Sequence, residues 1–409
     1  MDDNEISQFV RQIERAYRDN EQVKETIEIL KDDEYKMDLQ YKILQLDNQR
    51  LQNILHENLE TFSQSIIINN IDTIDTLPDV LKEFVWLKTI KINNTSINHV
   101  KNIPETVKIL YIYNNDKLTI IDEKSEFPIG LERLSLNSNS LTSVDFKYLP
   151  PNIDWLNLST NHISILKNTY LLTKLEILQL QENRLQELPR ISDSIQKMDI
   201  SCNQIKTIDW LPYSLTELDC SNNRLDKLFD CPPYLYKIFA YKNNITQITK
   251  LPDTVTNLDL SQNKINILEN LPTKLFELDM NDNQIRDFNI ENIPTTLRIL
   301  DISDNLMIGA NIKQKLKSLK FIVNLVSDYK ENHNMDTSND GDNDGDNDKD
   351  NEKDDINDII SNFNDFNPFN NFDQANSWLP NINHNINQQQ NQPNYTPRIM
   401  AKHDGIIRV

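Results

Sequence analysis

Residues 255–265 read VTNLDLSQNKI, and residues 131–141 read LERLSLNSNSL. Both stretches fit the pattern L-x-x-L-x-L-x-x-N-x-L, in which L stands for an aliphatic residue. Outward from these two stretches the pattern recurs at near-constant intervals, with its asparagine at positions 115, 139, 161, 183, 203, 223, 243, 263, 283 and 305. A weaker copy begins at Leu87 and carries Thr95 in the asparagine position. A short, regular period of this kind predicts a solenoid whose stacked units share one core.

The same pattern predicts the local structure of each unit. Leu258 and Leu260 alternate with polar residues, as in a short strand with one buried face. Asn263 is placed to turn the chain and to hydrogen-bond backbone groups that would otherwise be unpaired inside the stack. A proline at the far side of the unit, such as Pro252, suits an extended return segment that donates no ladder hydrogen bond.

These repeats resemble the leucine-rich-repeat family, and the shorter units resemble the 20–22-residue class of bacterial effector proteins, which begin L-P-x-x-L. The dipeptides that carry this feature are Leu149-Pro150, Leu188-Pro189, Leu211-Pro212, Leu251-Pro252 and Leu271-Pro272. The resemblance covers more than half of the chain. It implies an α/β solenoid, a curved array with short parallel strands on its concave face, that binds another macromolecule.

We predict four segments along the chain. Residues 1–60 form a helical coiled coil, residues 61–86 a cap or a degenerate repeat, and residues 87–326 a solenoid of about 11 repeats with a C-terminal cap. Residues 327–409 form an acidic, Asn/Gln-rich tail, in which residues 336–355 contain ten acids and two lysines. Such a composition cannot bury enough apolar surface to offset the entropy of ordering, so we expect the tail to be disordered.

The coiled-coil prediction comes from residues 5–59, which contain neither proline nor glycine. Apolar residues alternate there at intervals of three and four over about seven heptads, with Ile13 at an a position and Leu44 at a d position. So narrow an apolar stripe needs a partner helix, and we predict a homodimer formed through residues 6–58. The alternative is a helix or a helical hairpin that folds back and caps the solenoid.

Composition excludes several classes of partner. The chain has 42 Lys and Arg against 63 Asp and Glu, for a formal net charge of −21. A chain this acidic is repelled by nucleic acids and by anionic membranes, so we expect neither as a partner. The N-terminal residues are not those of a secretory signal, and no apolar segment of about 18 residues is present. Three cysteines do not make a disulfide framework, which favours an intracellular and, most simply, a cytoplasmic location.

The sequence offers no candidate for catalysis, for a cofactor or for a metal. It has five glycines, too few and too scattered for a phosphate-binding loop, and its six histidines lack ligand spacing. Some effector proteins with similar repeats carry a ubiquitin-ligase domain whose catalytic cysteine follows the repeats, but no cysteine follows Cys231 here. We therefore predict a non-catalytic scaffold or adaptor. The alternative is a targeting or regulatory subunit of an enzyme, such as a phosphatase or a ubiquitin ligase, with the activity on the partner.

The outward positions of the strands are the candidate binding residues for a protein partner. Five aspartates in the middle strand position would form an acidic stripe that favours a basic partner surface, and aromatic residues at neighbouring positions are typical anchors of interfaces. An aspartate is common at this position in the family, so the stripe also has a purely structural interpretation. The candidates are Tyr111, Tyr113, Trp155, Asp199, Asp219, Tyr236, Phe239, Tyr241, Asp259, Asp279 and Asp301.

Overall fold

The computed structural model describes residues 33–307, 310–320, 322 and 324–327. Its main element is a sheet of thirteen parallel strands that follow one another in chain order, interrupted only by three strands of a second sheet. The strands of the large sheet are β1 (Ser65–Ile71), β2 (Thr89–Thr95), β3 (Ile109–Tyr113), β5 (Arg133–Ser135), β7 (Trp155–Asn157), β9 (Ile177–Gln179), β10 (Lys197–Asp199), β11 (Glu217–Asp219), β12 (Lys237–Phe239), β13 (Asn257–Asp259), β14 (Glu277–Asp279), β15 (Ile299–Asp301) and β16 (Asn324–Val326). The prediction of a solenoid with short parallel strands is confirmed.

The core lies behind this sheet. The central residue of each short strand, such as Leu218, Ile238 and Leu258, is buried and pairs in register with its equivalent in the next repeat. The aliphatic residues two positions further along and at the start of each unit are buried as well, so each repeat contributes to one continuous apolar column. The stacking shares that column among neighbours, which is why no repeat needs a core of its own.

A second, smaller sheet forms where the repeats are longest. It contains β4 (Ile120–Ile121), β6 (Ser143–Asp145) and β8 (Ile165–Lys167), which pair in parallel. These strands fall in the longer repeats between Asn115 and Asn183, which have extra backbone to extend on the far side. In the shorter repeats that follow, the described residues form only an isolated bridge there, between Leu268 and Phe288. Short 3-10 turns occupy Asp79–Glu83, Phe146–Tyr148 and Ile290–Asn292.

The asparagines hold neighbouring repeats together. Asn263 donates from Nδ2 to the carbonyl of Ala240 in the preceding repeat at 3.0 Å, and also to the carbonyls of Leu260 and Ser261. Its Oδ1 accepts the N–H of Ile245 at 3.0 Å. One buried amide thus satisfies four backbone groups, as the sequence predicts. The repeated side chains form an asparagine ladder, with Asn161, Asn183, Asn203, Asn223, Asn243, Asn263, Asn283 and Asn305 as its regular rungs.

The prolines of the L-P-x-x-L starts act through their carbonyl groups. The carbonyl of Pro212 accepts the N–H of Leu215, and the carbonyl of Pro252 accepts the N–H of Val255, each at 3.1 Å. Each proline therefore begins a tight turn that delivers the first aliphatic residue of the next unit into the core. Its fixed φ favours that turn at little entropic cost.

The N-terminal segment differs from the prediction of one uninterrupted helix. Two helices are present, α1 (Asp33–Leu44) and α2 (Gln49–Thr61), and the Asn48 side chain caps α2 by accepting the N–H of Leu51 at 2.9 Å. Leu51 and Leu55 are buried in the solenoid core, so they are not available to a partner helix. The part of the predicted coiled coil before residue 33 lies outside the described residues, as does the predicted tail from residue 328 onward.

The two helices cover the first edge of the large sheet. Trp86 donates from Nε1 to Oδ1 of the buried Asn58 at 2.9 Å, and its ring lies 5.0 Å from Phe62 and 4.8 Å from Phe84. Lys42 bridges to Glu83 at 2.9 Å. At the other end, α3 (Ala310–Ser318) follows the last regular repeat and contributes buried Ile312 and Leu316. Within the described residues, no helix combines the length and the apolar character needed to cross a membrane.

We predict that Asn263→Ala destabilises the solenoid by about 1–3 kcal/mol, because it leaves buried backbone N–H and C=O groups without partners. Urea unfolding followed by circular dichroism measures the change. Asn266→Ala, at an exposed position in the same repeat, is the matched control and should lie within about 0.5 kcal/mol of the wild type. Equal stability of the two variants would contradict the structural role of the ladder.

Candidate functional site

One surface of the large sheet carries most of the candidate residues. In each strand the residues on either side of the buried central residue point away from the core, and register pairing lines them up across the sheet about 4.8 Å apart. We call this surface the open face; it corresponds to the predicted concave face. Its middle column consists of Lys91, Tyr111, Ser135, Asn157, Gln179, Asp199, Asp219, Phe239, Asp259, Asp279 and Asp301.

An aromatic cluster occupies the first half of the open face. The rings of Tyr111 and Trp155 meet edge to face with centroids 6.2 Å apart, and Lys91 Nζ lies 5.3 Å from the Tyr111 centroid. The indole Nε1 of Trp155 has no hydrogen-bond acceptor among the described residues. Tyr113 follows Tyr111 by two residues on the same strand face and is half-buried, which raises its pKa. That nitrogen is itself buried, so the cluster offers aromatic apolar area and not a free donor to the open face.

The five aspartates of the middle column have a backbone partner inside their own repeat. In each case Oδ1 accepts the N–H of the residue two positions later at 2.9 Å, and these donors are Ser201, Ser221, Ser261, Asn281 and Ser303. Asn157 makes the same bond to Ser159, also at 2.9 Å. An acceptor at this position therefore fixes the chain as it leaves the strand. This hydrogen bond is what a purely structural role of the aspartates requires. It does not depend on their charge, because the neutral Asn157 forms the same bond.

Burial and mutual repulsion disfavour that charge. Burial raises the pKa of Asp199 to about 6, of Asp219 to about 7 and of Asp259 to about 6, although the hydrogen bonds to Oδ1 act in the opposite direction. Asp279 has its pKa raised to about 8 by burial and then by Asp259. Burial also raises the pKa of Asp301. Near neutral pH the column is consequently only partly ionised, which the sequence alone does not reveal.

The repeat with the most aromatic residues interrupts the aspartate column. Phe239 lies in the column, with Lys237 Nζ 4.8 Å from its centroid, and Tyr241 follows two residues later, half-buried. Burial lowers the pKa of Lys237 and, together with Asp219, raises that of Tyr241 above its ordinary range. Phe239 and Tyr241 are therefore both on the open face, as the sequence predicts.

Tyr236 belongs to the rim of the open face and not to its centre. It precedes β12 by one position, and its hydroxyl donates to Oε1 of Glu217 at 2.8 Å. Glu217 is almost fully buried and also bridges to Lys197 at 2.6 Å. Among the described residues Tyr236 makes no ring contact with Phe239 or Tyr241. Of the three aromatic candidates in this repeat, Phe239 and Tyr241 therefore lie on the open face, and Tyr236 lies beside it.

A second aromatic pair was missed by the sequence reasoning. Tyr213 and Tyr234 lie on successive turns before the strands, with their rings edge to face at 5.5 Å, and more than half of each side chain is exposed. Both follow a proline at the start of a unit, at positions that the eleven-residue pattern does not include. A signal was available in the sequences Leu211-Pro212-Tyr213 and Pro232-Pro233-Tyr234.

The described residues show no arrangement typical of nucleophilic or metal chemistry. The three cysteines are free, Cys220 is buried in the core, and burial raises the pKa of both Cys202 and Cys231. A raised thiol pKa disfavours the thiolate that a nucleophile requires. No group of three or more His, Cys, Asp or Glu side chains in the described part of the chain is placed to hold a metal ion.

Comparison with known proteins identifies the fold. The family model described as Leucine Rich Repeat matches residues 214–238, a stretch that includes β11 and ends inside β12. The chain has the leucine-rich-repeat fold. A search of curated proteins gives no match.

Several solved leucine-rich-repeat structures are similar to this one. YopM, a leucine-rich effector protein of Yersinia pestis, is 22% identical, with a TM-score of 0.54, over 67% of this chain and 83% of its own. An internalin of Listeria monocytogenes, InlF, is 17% identical, with a TM-score of 0.45, over 73% of this chain and 96% of its own. At these identities the similarity concerns the fold alone.

The raised aspartate pKa values predict how stability depends on pH. The unfolded chain ionises these groups near pH 3.9, whereas the folded chain keeps their protons to higher pH, so stability should fall as the pH rises from about 4 to about 8. We expect Asp279→Asn, which keeps the acceptor found at Asn157, to reduce the loss between pH 5.5 and pH 8.5 by about 3 kcal/mol. Urea unfolding at both pH values measures it.

Asp253→Asn is the matched control for this experiment. Asp253 is exposed, and the hydrogen bond from the Thr273 N–H lowers its pKa, so it is ionised at both pH values in the folded and the unfolded chain. Its replacement should change stability by the same amount at pH 5.5 and pH 8.5. A pH dependence of Asp279→Asn identical to that of the wild type would contradict the proposed titration.

Proposed function

We propose that the chain is a non-catalytic scaffold or adaptor that binds a partner protein on the open face of its repeats. The observation that carries this proposal is the aromatic cluster of Tyr111 and Trp155. Aromatic side chains on an accessible surface supply large contact area at low entropic cost, and Trp and Tyr are the residues most often found as interface hot spots.

The aspartate column supports a partner with basic side chains. A Lys or Arg brought beside Asp219 or Asp279 would favour the ionised carboxylate and so lower the raised pKa. Binding of such a partner therefore releases protons, and its affinity should increase between pH 6 and pH 8. Phe239 interrupts the column and would give the same interface an apolar contact.

The interface test compares proteins retained from a lysate of the source cells by wild-type chain, Trp155→Ala, Phe239→Ala and Ile129→Ala. Ile129 is 69% exposed outside the strands and serves as the matched apolar control. We expect one partner that wild type and Ile129→Ala retain and that the two open-face variants lose. Titration with that purified partner should then show a Kd at least about tenfold weaker for each open-face variant, as for typical hot-spot residues. Equal retention by all four chains would rule out this surface.

The alternative of a targeting or regulatory subunit of an enzyme uses the same surface and differs only in what the partner does. A phosphatase or ubiquitin-ligase activity that co-purifies with the wild type and not with Trp155→Ala would favour it. Turnover by the isolated chain would contradict both the scaffold and the subunit proposals.

Dimerisation is the second part of the proposal, and α1 supports it. Leu39 and Ile43 are fully buried on one side of this helix. On the other side, Met37, Tyr41 and Leu44 are 70%, 65% and 63% exposed, and these are the heptad positions of the predicted coiled coil. The helix break at residues 45–48 thus ends the predicted seam at Leu44, and Met37, Tyr41 and Leu44 are its uncovered residues in the described part of the chain. An apolar stripe on one helix face is the surface that a coiled-coil partner covers.

We predict that Met37→Glu/Leu44→Glu converts a dimer of the full chain into a monomer, because two charges would enter the seam on each helix. Light scattering gives the solution mass. Gln45→Glu/Gln49→Glu adds the same charge at exposed positions just beyond the seam and should remain dimeric. If the wild-type chain has the mass of a monomer, residues 6–44 do not form a homodimer.

A further inference from the structure

The edge of the solenoid next to the asparagine ladder has a charge pattern opposite to that of the whole chain. The residue after each ladder asparagine is exposed or half-exposed, and its N–H donates to a carbonyl of the preceding repeat, as in Arg224 to Ile205 and Lys264 to Ile245, both at 2.9 Å. These bonds stack the residues into an edge column at the spacing of the repeats. The column contains His162, Arg184, Gln204, Arg224, Asn244, Lys264 and Gln284, with no acid among them.

A second column, two residues further along, adds to the positive charge. Its exposed members include Lys206 and Arg286, and Asp226 is its one acid between residues 164 and 286. We call the five cations of the two columns the basic ridge: Arg184, Lys206, Arg224, Lys264 and Arg286. It stands on a chain whose formal net charge is −21.

The cations of the basic ridge lack anionic partners of their own. Elsewhere cations such as Lys108, Lys197 and Lys315 form salt bridges to acids at 2.5–3.0 Å. Within the described part of the chain, none of the five ridge side chains forms a salt bridge or a hydrogen bond. In so acidic a protein, five neighbouring cations that pair with no acid among the described residues point to an anionic group supplied from outside.

A groove lies along the first half of the ridge. It has a volume of about 560 Å³, and its lining includes Lys206, Arg224 and the amide side chains of Gln186 and Gln204, with Glu187 as the one acid. The groove forms where β8 ends the small sheet and the repeats become shorter. It therefore places two cations and two amide groups around a concave space, which suits a chain with carboxylate side chains.

The spacing of the ridge indicates the conformation of that chain. Arg184, Arg224 and Lys264 are each two repeats apart, about 9.6 Å at the strand spacing of about 4.8 Å. A polyproline II helix rises about 3.1 Å per residue with three residues per turn, so every third side chain points the same way at about 9.3 Å. We propose that the basic ridge binds an acidic segment of a partner protein in this extended conformation, with a carboxylate at every third residue.

Ion pairs between the carboxylates of such a segment and the ridge suit arginine side chains. The guanidinium groups of Arg184 and Arg224 present two parallel N–H donors to a carboxylate, and Lys264 adds a point charge. A nucleic acid also carries regularly spaced anions, but Glu182, Glu187, Asp226 and Asp282 border the ridge, and a wide duplex would meet them together with the acidic remainder of the chain. A narrow peptide along the ridge comes close to fewer of these acids than a duplex does, with Glu187 in the groove as one of them. This surface is separate from the open face and does not depend on the function proposed above.

The test measures binding of a fluorescein-labelled peptide with four Glu-Pro-Pro repeats to the full chain by anisotropy, at about 50 mM salt, where surface pairs are weakly screened. We expect Arg184→Gln/Arg224→Gln/Lys264→Gln to weaken the Kd about tenfold, since three exposed ion pairs are lost. Lys206→Gln in the groove should weaken it about threefold. Lys124→Gln/Lys167→Gln/Lys250→Gln removes three exposed cations outside the ridge and should stay within about twofold of the wild type.

Two further ligands decide between a peptide and other anions. A Gln-Pro-Pro peptide of the same length should not bind measurably, and a 12-base-pair duplex DNA should bind more weakly than the Glu-Pro-Pro peptide. The proposal is overturned if the wild-type chain does not bind the acidic peptide, if the ridge and control triple variants bind equally, or if the duplex binds more tightly. Every substituted residue is exposed, so we expect the variants to stay folded, and circular dichroism verifies this. The single variant Lys206→Gln gives a second measure of how much the basic ridge contributes to peptide binding.

Discussion

The buried asparagine amide is the constraint on which the rest of this molecule depends. A chain that coils once per repeat leaves backbone N–H and C=O groups inside the turn after each strand, where no water or strand can pair them. The side chain of Asn203 forms hydrogen bonds with four of these backbone groups, and two of the four belong to the preceding repeat. The ladder therefore fixes the distance and the register between repeats. This register also sets the distance between successive residues in every surface column.

The turn just before each asparagine shows how strongly the ladder constrains the chain. The residue that precedes it has φ between 50° and 57° throughout the array, although it is Thr160, Glu182, Cys202 or Lys242 in different repeats and never glycine. A left-handed conformation is unfavourable for such residues, by about 1–2 kcal/mol. Their N–H groups nevertheless donate to the next repeat, as Cys202 does to Ser221 at 2.9 Å. The ladder and the stacked core outweigh the local cost, so the sequence is free to vary there.

The repeat period and the residue types within each repeat were enough to predict most of the fold. The features that were not predicted have physical causes. The asparagine spacing predicted the strands and the ladder because each repeat supplies the same information again. The heptad pattern did not predict the break at residues 45–48. In α2 it selected residues that face the core, since over a helix of 13 residues a 3.5-residue period and a 3.6-residue period select nearly the same positions. Leu51 and Leu55 are buried in the core of the same chain and not against a partner helix. The candidate site was predicted less completely: the columns followed from strand alternation, whereas the burial of Asp219 and the place of Tyr236 depend on neighbours in other repeats.

The ladder also separates two surfaces of different chemistry on one short stretch of chain. Asp259 on the open face and Lys264 on the basic ridge are five residues apart, with buried Leu260 and the ladder residue Asn263 between them. The Asp259 carboxylate accepts the Ser261 N–H and hydroxyl, at 2.9 and 2.7 Å, so it is engaged on its own side and does not pair with the ridge. Because each repeat carries both positions, lengthening the array extends both surfaces together and keeps them apart. The ladder would then hold the two proposed partners at a fixed distance from each other, which is what the proposed scaffold function requires.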